Sequence, residues 1–257
     1  MLHGTRDSSI TFQFVVNRLQ REWEIIAPDW RGHGLTERAH SYWFHDFVAD
    51  LSSIIDLLFP AQEVPLVGHS LGGNVAGIFA GLRPERVSHL ISLDGFGPLT
   101  NHLPVDPITL FRQFLDVENR EERAYPDLAA MAARLQQANP RLTQSQASFL
   151  AEHSSRAGPD GRRYWLFTSS FQRSLPSFRN LEEWGLIWAE ITAPALWILS
   201  EDQRQGAPVR DPEEMARRSG LMPHVELRQI PHTGHNLHHD EPIQVAHFIE
   251  EFLSRPK

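Results

Sequence analysis

The residues with the clearest capacity for covalent chemistry are Gly68-His69-Ser70-Leu71-Gly72-Gly73. A serine hydroxyl is a weak nucleophile until a neighbouring base takes its proton, so the setting of Ser70 matters more than its type. An apolar run, Val64 to Val67, leads into Gly-x-Ser-x-Gly, and Val75, Ile78, Phe79 and Leu82 follow at helical spacing. That is a strand, a tight turn and a helix, the context in which this motif exposes a reactive serine. The turn would strain Ser70, while Gly68 and Gly72 leave room for close backbone approach. Leu71, at the helix N-terminus, would offer its N–H to a developing oxyanion. The competing reading is a glycine-rich turn whose serine caps a helix; the strand and helix on either side weigh against it.

The elements that must hold this serine follow from the pattern along the chain. Residues 11–19 read as a helix, and 23–27 as a short β-rich run entering the turn-rich Pro28-Asp29-Trp30-Arg31-Gly32-His33-Gly34. A helix is expected over 43–58, with Phe44, Phe47, Val48, Leu51, Ile54, Ile55 and Leu58 on its buried face. Residues 87–93 form a buried-strand candidate that ends at Asp94-Gly95. Strands alternating with helices predict an α/β fold, a doubly wound and mostly parallel sheet with right-handed crossovers. Ligand sites in such sheets lie beyond the carboxyl ends of the strands, where Gly4, Asp29, Ser70 and Asp94 all fall.

From residue 96 to about 190 the strand signal gives way to a polar, helical pattern, with helices expected over 128–137 and 144–152. The βα pattern then resumes, with a strand over 194–199, a helix over 211–218, a strand over 225–230 and a last helix over 241–253. The expected organisation is therefore a core of 1–95 and 190–257, with 96–189 inserted as a helical cap over the strand ends.

Composition narrows the function. A chain of 257 residues, 41% hydrophobic and 22% charged, is an ordinary globular domain. A net charge of −8 with no basic stripe argues against nucleic acid as a partner. No apolar run approaches the roughly 20 residues needed to cross a bilayer, so no membrane partner is expected. The absence of cysteine excludes disulfides, thiolate catalysis and Cys-ligated zinc, and is compatible with a cytoplasmic location. Several of the fourteen histidines gather near the C-terminus as His232, His235, His238 and His239. No carboxylate is convincingly spaced with them, so neither a metal nor another cofactor is expected.

With Leu2-His3-Gly4, Ala27-Pro28-Asp29-Trp30-Arg31-Gly32-His33-Gly34, the Ser70 motif and Gly234-His235 in this order, the chain resembles the α/β-hydrolase superfamily. Within it, the sequence looks most like the helical-cap serine hydrolases. The resemblance implies Ser70 as nucleophile and His235 as base, with His232, His238 and His239 as weaker candidates. It also implies that His3-Gly4 begins the oxyanion loop, so that the N–H of Thr5 joins that of Leu71. The acid departs from the family's usual Gly-x-x-Asp, because Ser200-Glu201-Asp202-Gln203 puts serine and glutamine at the two key positions. An amide cannot stabilise the imidazolium formed during catalysis. Asp94, at the end of the preceding core strand, is favoured in its place, and Asp202 is the alternative. The family usually has further strands before His-Gly. Either the N-terminal strands are short or missing here, leaving a sheet edge that a dimer could cover, or the native start lies upstream.

These readings converge on a carboxylesterase-like serine hydrolase acting on a small to medium ester, as a monomer or homodimer. The alternatives are C–C bond hydrolysis or perhydrolysis with the same triad, or a catalytically weak ligand-binding protein on the hydrolase fold.

Overall fold

The computed structural model describes residues 1–98, 108, 112, 122–168, 180–201 and 212–256. A 3-10 turn over Ser9–Phe12 leads into the short α1 (Gln13–Val16), and α2 (Phe44–Leu58) follows a long irregular stretch. Next come β1 (Val64–His69), α3 (Leu71–Leu82) and β2 (Val87–Leu93). The middle of the chain gives α4 (Leu128–Ala138), α5 (Gln144–His153), β3 (Ser155–Ala157), β4 (Arg163–Trp165) and α6 (Leu181–Trp188). Then follow β5 (Ala195–Ser200), α7 (Pro212–Ser219), β6 (Val225–Ile230), α8 (Leu237–Asp240) and α9 (Pro242–Leu253).

The central sheet has the order β1-β2-β5-β6 and every pair is parallel. Alternate side chains feed two separate cores, as a sheet covered on both faces requires. Leu66, Leu90 and Trp197 face α2, α3 and α6, while Val67, Ile91 and Ile198 face α1 and α9. The sheet is thus wound on both sides, and all four strands end at the same edge.

Residues 23–27, expected as a strand, form no regular strand. The edge of β1 is instead occupied by Leu2, which bridges Gly68 in parallel: Leu2 N–H donates to Val67 O at 2.8 Å and His69 N–H to Leu2 O at 2.9 Å. With that ladder position filled, the 23–27 run contributes one backbone acceptor, Ile26 O, to the amino group of Met1 at 2.6 Å.

The expected cap stretch has two parts among the described residues. Helices α4 and α5 and the β3–β4 hairpin share a satellite core of Tyr125, Met131, Ala147 and Leu150, partly lined by Trp165. The hairpin was not expected; its loop, Gly158 to Gly161, is a turn between strands of three residues each, too short to show an alternating pattern. This unit is tied to the core by Asn139 Nδ2 to Asp240 Oδ1 at 2.6 Å and Arg141 Nε to His232 O at 2.8 Å. Helix α6 packs with the sheet instead: Trp184 and Trp188 lie in the same core as Trp197, and a Cβ on Gly81 would stand 2.1 Å from Ile187 O.

Candidate active site

Ser70 sits between the last residue of β1 and the first of α3, with φ 52° and ψ −113°. A non-glycine residue pays strain for a positive φ, and the surroundings enforce it here. A Cβ on Gly72 would lie 2.0 Å from Leu2 O, and one on Gly68 would lie 2.4 Å from the Gly72 backbone. Ser70 N–H donates to Leu93 O at 2.9 Å, which fixes the turn to β2. The hydroxyl is thereby lifted beyond the strand ends, over the N-terminus of α3.

Asp94 follows β2 directly, also at positive φ (50°), and its side chain is fully buried. Its Oδ1 accepts from Ser200 N–H at 2.9 Å, and its Oδ2 accepts from Ser200 Oγ at 2.6 Å. The same Oδ2 lies 3.2 Å from His235 Nδ1. His235 stands on the loop after β6, its side chain 40% exposed, with Nε2 3.0 Å from Ser70 Oγ. An unbroken line of hydrogen bonds thus runs from a buried carboxylate, through an imidazole, to a hydroxyl at the mouth of a cleft. With Nδ1–H donated to Asp94, Nε2 presents its lone pair to Ser70. The backbone of His235 is held too, because His69 Nε2–H donates to His235 O at 2.8 Å.

The loop carrying Thr5 is pinned from below by His3. Trp30 N–H donates to His3 Nε2 at 3.0 Å, so the ring proton is on Nδ1, which donates to Gly4 O at 2.8 Å. Trp30 Nε1–H reaches His3 O at 2.8 Å. Burial lowers the His3 pKa to about 3, keeping the ring neutral. Farther along the loop, Arg6 N–H donates to His33 Nε2 at 3.3 Å. Thr5 lines the same cleft as Ser70, Leu71 follows Ser70 at the start of α3, and neither backbone N–H has a backbone partner among the described residues.

The cleft has a volume of about 660 Å³. Its walls include Thr5, Tyr125, Arg134, Trp165 and Phe167, with Ser70 and His235 at its floor. It therefore joins the sheet edge to the α4 and hairpin unit, and offers aromatic surface beside arginine.

Of the residues singled out from sequence, Ser70, His235 and Asp94 come together, with Leu71 and Thr5 beside them. Asp202 lies outside the described residues. Asp29 is a loop organiser, accepting Ser9 N–H at 2.7 Å and Leu35 N–H at 2.8 Å. His232 is exposed, whereas His238 and His239 are buried behind the site, both against Thr11. Sequence reasoning missed Ser200. Its only signal was serine where a glycine was expected, and that substitution supplies the hydroxyl that holds Asp94.

Residues 1–242 match the family model described as alpha/beta hydrolase fold. A serine hydrolase-like protein from Danio rerio is 31% identical over 214 residues, which is 78% of this chain and 64% of the relative. The chain thus spans less than two thirds of that relative's length. Among solved structures, the thioesterase domain from the curacin biosynthetic pathway superposes with a TM-score of 0.82 at 24% identity, covering 97% of this chain and 89% of that one. A novel esterase from Mycobacterium tuberculosis superposes with a TM-score of 0.75 at 22% identity, covering 99% and 83%. At these identities the two structures speak for the fold alone. No helix among the described residues is long and apolar enough to cross a membrane.

Proposed function

The chain belongs to the alpha/beta hydrolase fold family, and we propose that within it the protein is a serine hydrolase cleaving small to medium carboxylic esters through an acyl-enzyme. The observation that carries this reading is the line Asp94–His235–Ser70, with spacings of 3.2 and 3.0 Å, opening into a cleft. His235 Nε2 takes the Ser70 proton as Oγ attacks the ester carbonyl. Asp94 keeps His235 in the Nδ1–H tautomer and stabilises the imidazolium that forms. Ser200 in turn keeps both carboxylate oxygens oriented. The N–H groups of Leu71 and Thr5 meet the oxyanion; one such donor is commonly worth about 3–4 kcal/mol in the transition state. Collapse expels the alcohol, which takes its proton from His235, and water repeats the sequence to release the acid. The aromatic lining of the cleft supports an apolar acyl or alcohol group of modest size.

The test is hydrolysis of a p-nitrophenyl ester series, with one thioester included because the same steps cleave it. It is read beside covalent labelling of Ser70 by a fluorophosphonate. Ser70→Ala should abolish both. Asp94→Asn should lower kcat by about 10⁴-fold, whereas Asp202→Asn should stay within a few-fold of the parent. Turnover that survives Ser70→Ala rejects the mechanism. A folded protein that binds esters but neither turns them over nor takes the label would be a binding protein on this fold.

A further inference from the structure

Behind the triad lies a cluster that the proposed mechanism does not use. Asp7, His69 and His238 come from three parts of the chain, and each offers a ligand atom within 4.8 Å of the others'. Both imidazoles are buried, and Nδ1 of each is buried with no hydrogen-bond partner. Their tautomers can be read from their other nitrogens. His69 Nε2 faces the carbonyl oxygen of His235, which only accepts, so Nε2 carries the proton and the lone pair is on Nδ1. His238 Nε2 lies 2.8 Å from Thr11 Oγ1, an oxygen with two lone pairs. When Nε2–H donates to it, the His238 lone pair also falls on Nδ1. The buried carboxylate of Asp7 accepts Ser8 N–H at 2.9 Å and is also hydrogen-bonded by the Thr11 side chain, so a metal would compete with the Thr11 hydroxyl for it.

Each buried nitrogen without a partner costs stability, and here two of them belong to residues of one cluster. Two neutral imidazoles and one carboxylate are also a set that divalent zinc accepts, with one position left open. The outer groups that such a site needs are present too: His69 and His238 each have the second ring nitrogen engaged, one by a backbone carbonyl and one by a hydroxyl. An entry path exists, since Asp7 and His69 both line the cleft that holds Ser70.

We propose that Asp7, His69 and His238 form a transition-metal site behind the wall of this cleft, and that Zn²⁺ bound there inhibits the enzyme. Inhibition follows from position. The His69 and His235 rings are 4.9 Å apart, and His69 holds the backbone of His235. A dication on His69 opposes the positive charge that His235 must acquire when it takes the serine proton. The inhibitory effect rests on the serine-hydrolase reading; the binding itself does not.

The experiment titrates the full chain with Co²⁺ and with Zn²⁺ at pH 7.5. It reads the visible absorption of Co²⁺ in a low-symmetry site, the Zn²⁺ heat by calorimetry, and ester hydrolysis in parallel. Expected are one ion per chain, a fall in kcat of at least tenfold at saturation, and recovery on adding EDTA. His238→Asn and Asp7→Asn should each weaken Zn²⁺ binding by at least tenfold while the metal-free protein keeps its circular dichroism. Asp7 is on the cleft wall, so its variant tests the site even if a change at the buried His238 harms folding. No stoichiometric Co²⁺ or Zn²⁺ binding overturns the proposal, as does binding unchanged in Asp7→Asn. Metal binding without any ester turnover leaves the site standing and removes the serine-hydrolase reading.

Discussion

Asp94 is oriented less by His235 than by Ser200, which engages both carboxylate oxygens at 2.9 and 2.6 Å. Replacing Ser200 with alanine keeps the backbone N–H and deletes the shorter bond. The carboxylate can then rotate, and its 3.2 Å contact with His235 loses definition. The expected result for Ser200→Ala is a fall in kcat of about tenfold with KM nearly unchanged, because the lost interaction serves charge that develops only in the transition state. Steady-state ester kinetics check this; a change confined to KM would place Ser200 in substrate binding instead. At this scale the sequence was legible where a residue type is tied to a local motif. Ser70 could be read from its own turn, and His235 through the family resemblance carried by Gly234-His235 after the last strand. The partner of Asp94 could not, since it is 106 positions away, on a strand whose register no local pattern states.

The N-terminal segment packs directly on α3 where α3 has no side chain, at Gly72. Gly72, on the first turn of α3, lies so close to Leu2 that a Cβ would stand 2.0 Å from Leu2 O. Leu2 is also the residue that completes the β1 edge and leads into His3, Gly4 and Thr5. In Gly72→Ala the methyl must push α3 and this segment apart, since the atom it meets is backbone. The expected outcome is a loss of about 2 kcal/mol or more in stability, typical of overpacking, together with reduced turnover in whatever protein still folds. Urea denaturation and the kcat of the folded fraction measure the two effects separately. Unchanged stability would mean that the segment before Gly4 is free to move. Regular elements were the readable part of the chain, because β1 and β2 are apolar runs buried on both faces and the long helices bury periodic faces. The run over 23–27 was misread: its residues favour a strand, but a ladder needs a free edge, and Leu2 already occupies that of β1. The β3–β4 hairpin went unseen because six strand residues in all leave no period to detect.

Across the whole molecule, buried histidines stand where a small hydrophobe or an amide would avoid any charge. His3, His33, His69 and His238 all have pKa values lowered first by burial. Each can be neutral in the fold and charged in the unfolded chain, which links stability to pH. His3 shows the sign. Its pKa is about 3 in the fold and about 6.5 when unfolded, so between these values the unfolded chain binds the extra proton. Stability is therefore complete above about pH 6.5 and is lost as the pH falls toward 3. His33 nearby adds to the depression, while Asp29 and the bond to Gly4 O oppose it without reversing it. For this one fully buried ring the cost at pH 5 relative to pH 7 is about 2 kcal/mol. In His3→Asn the side-chain amide can still donate to Gly4 O, but nothing at that position titrates. The variant should be less stable than the parent at pH 7, because Trp30 N–H loses its acceptor. Its unfolding free energy should nevertheless fall by about 2 kcal/mol less between pH 7 and pH 5. Chemical denaturation at the two pH values decides it: parallel curves for parent and His3→Asn would mean that His3 is protonated in the fold, and the hydrogen bond from Trp30 N–H could not then exist.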